Sequence, residues 1–339
     1  MTGFSRTQEV VHEIGPTGRF ALRATSADIK VQRAEGDTAR VSIQFEIRAA
    51  DEAEADRILE AAQFRVAAER GSLEVSEPDR GENLGLGALA RLLGGSPSRA
   101  RAETIVAQVP ARAHVTVAGV SAELVVTGLE GIQEYRTVSG DSVLTDLAGD
   151  VKISSVSGEV SLRGVGPIAL RANTVSGDLI AFAPRFDRTR AVTVSGDIDL
   201  EGELAPGSEH RIETVSGDLG MGAVNGMTLE VRGLSTDVSV SLPHRSEGTR
   251  DRRRYVIGDG AASLVFSSMS GDVTVGNARR YESRLTATPP APPVPPSAPR
   301  APRQPLGADE QLAVLRALEA GEIDVDEAAR RLGGEPTDG

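Results

Sequence analysis

Val138-Ser139-Gly140-Asp141 is the first of seven copies of one tetrapeptide in the middle of the chain. The later copies are Val156-Ser157-Gly158-Glu159, Val175-Ser176-Gly177-Asp178, Val194-Ser195-Gly196-Asp197, Val215-Ser216-Gly217-Asp218, Leu234-Ser235-Thr236-Asp237 and Met269-Ser270-Gly271-Asp272. Their starts are 18, 19, 19, 21, 19 and 35 residues apart. A period near 19 residues is typical of stacked architectures, in which each repeat forms one layer, or rung. The sequence therefore predicts a stack of similar rungs.

Apolar residues recur at fixed distances from the first position of each tetrapeptide. Four residues after it stand Val160, Leu179, Ile198, Leu219, Val238 and Val273, with Ser142 as the exception. Six residues after it stand Leu144, Leu162, Ala181, Leu200, Met221, Val240 and Val275, and three before it stand Tyr135, Ile153, Ala172, Ala191, Ile212, Val231 and Phe266. Alternation with period two predicts strands that have one face inside and one outside. Each rung is therefore expected to be a strand, a sharp corner and a second strand.

The tetrapeptide has the chemistry of that corner. Glycine reaches positive φ without steric cost, and Ser and Asp side chains hydrogen-bond nearby backbone amides. We therefore assign a structural corner role to Ser139, Gly140, Asp141, Ser157, Gly158, Glu159, Ser176, Gly177, Asp178, Ser195, Gly196, Asp197, Ser216, Gly217, Asp218, Ser270, Gly271 and Asp272. A single rung buries too few apolar side chains to offset its loss of backbone entropy, so rungs must shelter one another. The predicted fold class is mainly β, a parallel β-solenoid (β-helix) of about 19-residue rungs.

Four regions follow from the pattern. Residues 1–104 read as an N-terminal β-rich capping region with one short helix over 51–64, and residues 105–284 as the solenoid repeats. Residues 285–308 are a Pro-rich linker, because residues 289–305 hold nine of the 18 prolines. Residues 309–334 have the spacing of a helical hairpin. The segment that lengthens the last repeat interval holds Arg250, Arg252, Arg253 and Arg254 and is expected to project as a loop or hairpin.

The predicted hairpin is too short to sustain its own core. Its apolar face consists of Leu312, Leu315, Leu318, Ile323, Val325 and Leu332. We therefore predict that these residues dock onto a protein partner, onto a second copy in a self-association, or back onto the solenoid. A DNA-reading role is disfavoured because residues 300–339 carry five Arg against nine acidic residues.

The composition limits the function classes further. A formal net charge of −12 disfavours nucleic acid and anionic membrane as partners, and no apolar stretch is long enough for a membrane span. The absence of Cys excludes disulfides and thiolate metal sites and fits a reducing compartment. With no pattern of a signal peptide at the N-terminus, we expect a cytoplasmic protein.

Catalytic, metal and cofactor sites are not expected. His12, His114, His210 and His244 are scattered without a recurring partner, and seven equivalent serines indicate corner geometry rather than one activated hydroxyl. The acidic corner residues lack the short double-glycine repeat of calcium-binding β-rolls, so they are interpreted as solvated turn carboxylates.

The serial Val-Ser-Gly-Asp corners, usually preceded by Thr or Ser, resemble the bacterial putative-adhesin β-strand-repeat family, a domain of unknown function. The resemblance covers residues 105–276 well and residues 7–48 more loosely. The tail resembles the small helical hairpins attached to some relatives, whose second helix has a Gly-Glu-Ile-Asp-Val-Asp-Glu-Ala-Ala pattern. The resemblance implies a solenoid of repeated strands, no established catalytic site and, in some members, a link to cell-envelope stress.

The predicted function is that of a non-enzymatic β-solenoid scaffold or interaction protein, with a protein partner on the hairpin or on the solenoid face. The alternative is an adhesin-like surface protein that binds or cleaves carbohydrate, since β-helices host such enzymes and acidic pairs serve in them. Against this alternative stands the absence of Trp, which commonly stacks on sugars.

Overall fold

The structure is a computed structural model that describes residues 2–78, 100–249 and 252–277. Its single helix within these ranges is α1 (Glu52–Ala62). The strands of the N-terminal part are β1 (Thr2–Glu13), β2 (Arg19–Arg23), β3 (Asp28–Ala34), β4 (Thr38–Ala49), β5 (Arg65–Glu69), β6 (Ser72–Ser76), β7 (Ala100–Pro110), β8 (His114–Ala118), β9 (Leu124–Thr127) and β10 (Ile132–Arg136). The remaining strands are β11 (Ser142–Ser154), β12 (Val160–Asn173), β13 (Leu179–Val192), β14 (Ile198–Leu204), β15 (Glu209–Glu213), β16 (Leu219–Ala223), β17 (Met227–Ser235), β18 (Val238–Val240), β19 (His244–Thr249), β20 (Arg252–Ile257), β21 (Ala262–Ser270) and β22 (Val273–Asn277).

These strands form two ladders that share the long strands β11, β12 and β13. The first ladder runs β5-β6-β2-β8-β10-β11-β12-β13-β15-β21-β17-β20-β19. The second runs β1-β4-β7-β3-β9-β11-β12-β13-β14-β16-β22-β18. Every pairing from β6 to β17 and from β7 to β18 is parallel, and the pairings at the ends are antiparallel. This is a mainly β, solenoid-like architecture, as the repeat predicts.

The core lies between the two ladders and consists of the columns read from the sequence. All seven residues three positions before the tetrapeptide are buried, from Tyr135 to Phe266. The column four residues after it is buried as well, including Ser142, which replaces an apolar residue. Val238 and Val240 are only half-buried because they belong to β18, which ends its ladder. The period-two pattern thus places the side chains on the predicted sides of the strands.

The rungs do not stack in chain order at the C-terminal end. The rung made of β21 and β22 lies between the rung of β15 and β16 and the rung of β17 and β18. The chain reaches this place through β19 and β20, which extend the first ladder: β20 pairs antiparallel with β17, and β19 pairs antiparallel with β20. The segment with Arg252, Arg253 and Arg254 was predicted to form a loop or hairpin that projects from the stack. It does form a hairpin with β19, but the hairpin pairs with β17 instead of projecting. Strand β20 pairs with β17 along its whole length, and the Arg252 side chain donates a hydrogen bond to the Glu230 carboxylate at 2.7 Å.

A similar reversal occurs near the N-terminus. The rung of β2 and β3 lies between the rung of β6 and β7 and the rung of β8 and β9. Residues 19–34 therefore form a rung inside the stack rather than part of a cap, and β7 crosses the domain boundary that the sequence suggested at residue 104. The predicted short helix is confirmed as α1, which packs on β4, and the Asp51 carboxylate caps it by accepting from Glu54 N at 2.8 Å.

The predicted linker (285–308) and hairpin (309–334), with Leu312, Leu315, Leu318, Ile323 and Leu332, lie outside the described residues. Within the described ranges, no helix has the length and apolar character needed to cross a bilayer.

Candidate functional site

The tetrapeptide corners form one continuous file along the stack. In five of the copies, the backbone N–H of the tetrapeptide serine donates to the carbonyl of the first residue in the neighbouring copy. This bond is 2.9 Å from Ser157 to Val138, from Ser176 to Val156, from Ser195 to Val175 and from Ser216 to Val194. Ser270 continues the file to Val215, across the rung that is out of chain order. The corners are therefore stacked in register, one rung apart.

The glycines are required by the closeness of successive corners. A Cβ on Gly177 would lie 2.2 Å from the carbonyl oxygen of Gly158, and one on Gly196 would lie 2.4 Å from that of Gly177. The same contact recurs at Gly140, Gly158, Gly217 and Gly271. Positive φ, which the sequence predicts for all of these glycines, is found only at Gly140 and Gly158. The common cause is the backbone of the next rung, which leaves no room for a side chain.

The acidic residues of the corners link one rung to the next. An Asp carboxylate oxygen accepts from the backbone N–H of the equivalent residue on the neighbouring rung, at 2.8–3.0 Å, in five places. The acceptors are Asp141, Asp178, Asp197, Asp218 and Asp272. Glu159, whose side chain is one methylene longer, makes no equivalent bond to Asp178, and a small hollow of about 260 Å³ opens beside it. The corner carboxylates are thus backbone hydrogen-bond acceptors.

Hydroxyl side chains fill the inside of the corners, one residue before most of the tetrapeptides. Thr137 donates to Ser155 at 3.2 Å, and Thr174 donates to Thr193 at 2.9 Å, with all four residues buried. Thr214 continues this column, but its hydroxyl has no partner among the described residues. Side chains along a strand point alternately to the inside and the outside, and this position points to the inside. The buried column therefore explains the Thr or Ser that precedes most tetrapeptides.

The first residue of the tetrapeptide points outwards. Seven such side chains lie one rung apart on the surface, about 4.8 Å from one to the next. They are Val120, Val138, Val156, Val175, Val194, Val215 and Met269, between 40% and 57% exposed. We call this set the apolar ridge. Exposed aliphatic side chains scattered singly need no explanation, but seven in one line form a continuous apolar strip.

Two further corners were missed in the sequence. Thr25-Ser26-Ala27-Asp28 and Val120-Ser121-Ala122-Glu123 continue the file, since Ser121 N donates to Thr25 O and Ser139 N donates to Val120 O, both at 2.8 Å. Alanine replaces the glycine in both. The corner at Val120 could have been found from the sequence. It begins 18 residues before Val138, and its Ser121 is followed two residues later by the acidic Glu123.

The outer face of the first ladder carries a groove of about 740 Å³. Lys152, Arg171, Arg190 and Arg211 line it in a file, because they are register partners on β11, β12, β13 and β15. Arg188 lies beside Arg190 on the same face of β13. We call this surface the cationic groove. The sequence argument missed it, although each residue of the file stands four positions before a tetrapeptide.

Acidic partners occupy only the two ends of this file. Glu134 accepts from Lys152 at 2.8 Å and from Arg136 at 2.6 Å, and these hydrogen bonds hold its pKa below the ordinary value. Arg211 at the other end pairs with Glu213. In the middle, Arg171 and Arg190 have no acidic side chain of the described ranges within 4.0 Å.

A buried tyrosine and a buried histidine lie inside the stack. The Tyr135 hydroxyl donates to Gln133 Oε1 at 2.9 Å, Gln133 Nε2 donates to Ala148 O at 2.9 Å, and burial raises the Tyr135 pKa. His210 is fully buried, with Nε2 3.2 Å from Ala205 O and Nδ1 3.3 Å from Thr189 Oγ1, and burial lowers its pKa. Both groups face other core residues rather than solvent. The residues that the structure describes contain no cluster of three or more His, Cys, Asp or Glu suited to a metal ion.

Comparison with known proteins points to one family. A family model described as Toastrack DUF4097 matches residues 17–276. No curated protein matches the sequence. Among solved structures, a putative lipid binding protein from Parabacteroides distasonis is 11% identical over 80% of this chain and 97% of its own, with a TM-score of 0.37. A putative adhesin from Parabacteroides merdae is 10% identical over 80% of this chain and 96% of its own, with a TM-score of 0.28.

Proposed function

This chain belongs to the Toastrack DUF4097 family, and from that membership we propose that it is a non-enzymatic β-solenoid scaffold that binds a protein partner. The apolar ridge is the observation that carries the proposal. It is exposed, and its side chains come from seven corners that follow one another in the stack, from Val120 to Met269. Contiguous exposed apolar surface on a soluble domain marks an interaction site.

The ridge fits a protein partner that offers its own row of apolar side chains. The residues that follow the ridge in each corner are serines and acidic residues, so a polar margin runs beside the apolar strip. An apolar centre with a polar rim is the usual anatomy of a protein interface. The ridge also lacks aromatic side chains, which disfavours the alternative of a carbohydrate-binding surface.

The test is affinity purification from the native cell with a ridge variant and a matched control. The ridge variant is V156T/V175T/V194T, which keeps the size of the side chains and removes their apolar character. The control is V165T/V224T, at exposed valines outside the ridge. Partners that are lost with the ridge variant and kept with the control support the proposal. Partners that are retained by both variants contradict it.

The C-terminal residues 306–339 are proposed as a second docking element, through Leu312, Leu315, Leu318, Ile323 and Leu332. The support is the apolar spacing of these residues in a segment too short to have its own core. Deletion of residues 306–339 should remove a distinct set of partners, whereas an unchanged set would refute this role.

We also propose that the protein acts in the cytoplasm, which a chain without cysteine fits. Cell fractionation tests this. Recovery outside the cell would favour the alternative of a surface protein that binds or cleaves carbohydrate. A link to cell-envelope stress would then require a partner outside the cell.

A further inference from the structure

The cationic groove combines a concave surface with a line of positive charge whose two middle members, Arg171 and Arg190, have no acidic side chain of the described ranges within 4.0 Å. Its four file residues come from four successive rungs, so their side chains repeat every 4.8 Å or so and the file is about 14 Å long. Like charges directly opposite each other on neighbouring strands repel. No acidic side chain of the described residues lies within 4.0 Å of Arg171 or Arg190 to relieve this repulsion, although the chain has 49 acidic against 37 basic residues. An external anion would relieve it.

The lining of the groove narrows the class of anion. None of the described residues that line it is aromatic, whereas sugars and nucleic-acid bases are commonly held by stacking on aromatic rings. Asp150 and Glu209 also lie on its walls, and they would repel a ligand with charge on every unit. Separate carboxylates with neutral groups between them fit these walls better. Arg guanidinium groups bind carboxylates through two parallel hydrogen bonds.

The length of the file matches an extended peptide. Side chains on one face of an extended chain are about 6.8 Å apart, so three of them span about 14 Å. Laid along the file, the outer two reach Lys152 and Arg211, and the middle one falls between Arg171 and Arg190. The middle position is the one where the protein supplies no acid of its own.

We propose that the cationic groove binds an extended acidic segment of a partner protein, with carboxylates at every second residue and the central carboxylate held by Arg171 and Arg190. Charge complementarity and the matching length carry this assignment. It goes beyond the scaffold function proposed for the apolar ridge and is independent of it, because the two surfaces share no residue. The ridge variant V156T/V175T/V194T should therefore leave peptide binding unchanged.

The probe is a synthetic capped heptapeptide in which three Glu alternate with Thr, titrated into the full-length protein by calorimetry at low salt. An isomer with the three Glu in a row serves as a probe of spacing. Binding of the alternating peptide should weaken by about tenfold or more in R171Q/R190Q, because two charge-assisted hydrogen bonds are lost. R171K/R190K keeps the charge without the paired hydrogen bonds and should show an intermediate loss. The control R40Q/R163Q makes the same charge change at exposed arginines of β4 and β12 that do not line the groove, and it should change the affinity by less than about twofold.

Several results would overturn the proposal. One is the absence of saturable binding to the alternating peptide, and another is an equal loss in R171Q/R190Q and R40Q/R163Q, which would indicate a general charge effect. Equal affinity for the two peptide isomers would refute the spacing argument. Tighter binding of a short oligouronate or a single-stranded oligonucleotide of the same charge would assign the groove to another class of polymer.

Discussion

The carboxylate of Asp178 accepts a hydrogen bond from the backbone N–H of Asp197, at 2.9 Å, across the gap between two rungs. Backbone N–H groups at corners fall outside the strand ladders, and an unsatisfied one weakens the fold. Neighbouring carboxylates in the file repel by about 0.9 kcal/mol at 4.8 Å in water. A hydrogen bond to a charged group contributes about 1.5–3 kcal/mol. The bond outweighs the repulsion, so the last residue of the tetrapeptide is accounted for without a metal ion.

The position of Glu159 predicts a stabilising substitution. E159D should restore the missing bond to Asp178 N–H and raise the free energy of unfolding by about 0.5–1.5 kcal/mol. Urea unfolding followed by circular dichroism measures this. E35D, at an exposed site without a hydrogen-bond partner among the described residues, should be neutral. A loss of stability in E159D would show that the longer side chain is favoured there.

The glycine column predicts a destabilisation caused by crowding. G177A places a Cβ 2.2 Å from Gly158 O, and the rungs must separate to accommodate it, at a cost of about 1–3 kcal/mol or more. G36A is the matched control, because Gly36 has φ +89° and open space around it, so only the backbone conformation is penalised. A smaller effect of G177A than of G36A on the unfolding midpoint would contradict the crowding argument.

The Tyr135–Gln133 hydrogen bond predicts the effect of removing one hydroxyl. Y135F leaves Gln133 Oε1 buried without a donor, which costs about 1–3 kcal/mol. Thermal unfolding measures this effect. Y255F is the control for the loss of a hydroxyl, since no hydrogen bond of the Tyr255 hydroxyl is found in the described structure. We expect a clear decrease in Tm for Y135F and almost none for Y255F. Equal decreases would show that the pairing with Gln133 is unimportant.

The burial of His210 predicts a pH dependence of stability. Its pKa is lower in the folded than in the unfolded protein, where it is near 6.5, so below this pH the unfolded state binds more protons. Stability is therefore complete above about pH 6.5 and falls as the pH decreases, by up to about 1.36 kcal/mol per pH unit. Glu134 and Glu230 have lowered pKa values and add a further loss only below about pH 4.5.

Unfolding free energies measured between pH 7 and pH 5 test this prediction. H210Q should remove most of the slope in this range, and H244Q, altered at an exposed histidine, should keep it. An unchanged slope in H210Q would show that another group is responsible.

The sequence predicts the interior of this fold better than its edges. The columns that contain Tyr135 and Leu144 are buried as the period requires, because inward residues in a stack are constrained by both neighbouring rungs. The role of Gly177 could not be predicted correctly, since the distance to the next rung is a property of the stack and not of the local chain. The sequence shows Lys152 and Arg211 at the same position of the repeat. Whether such residues form one groove depends on which strands are neighbours in the stack, which the repeat does not specify.

The order of the rungs could not be predicted from the repeat. Every rung presents similar edges, so the pattern does not say whether residues 262–277 pair with residues 227–240 or with residues 209–223, and they pair with both. The corners at Ala27 and Ala122 were hidden because each has replaced its glycine.

The two reversals of chain order have a consequence for how such a protein changes length in evolution. At each end of the stack, neighbouring rungs come from parts of the chain that are not consecutive. A duplicated rung at either end would therefore separate strands that must pair with each other. A duplicated or deleted unit is tolerated only between the reversals, from about residue 128 to residue 208, where successive units are also spatial neighbours. We therefore expect longer and shorter relatives to differ in the number of central units and to retain both interlocked ends.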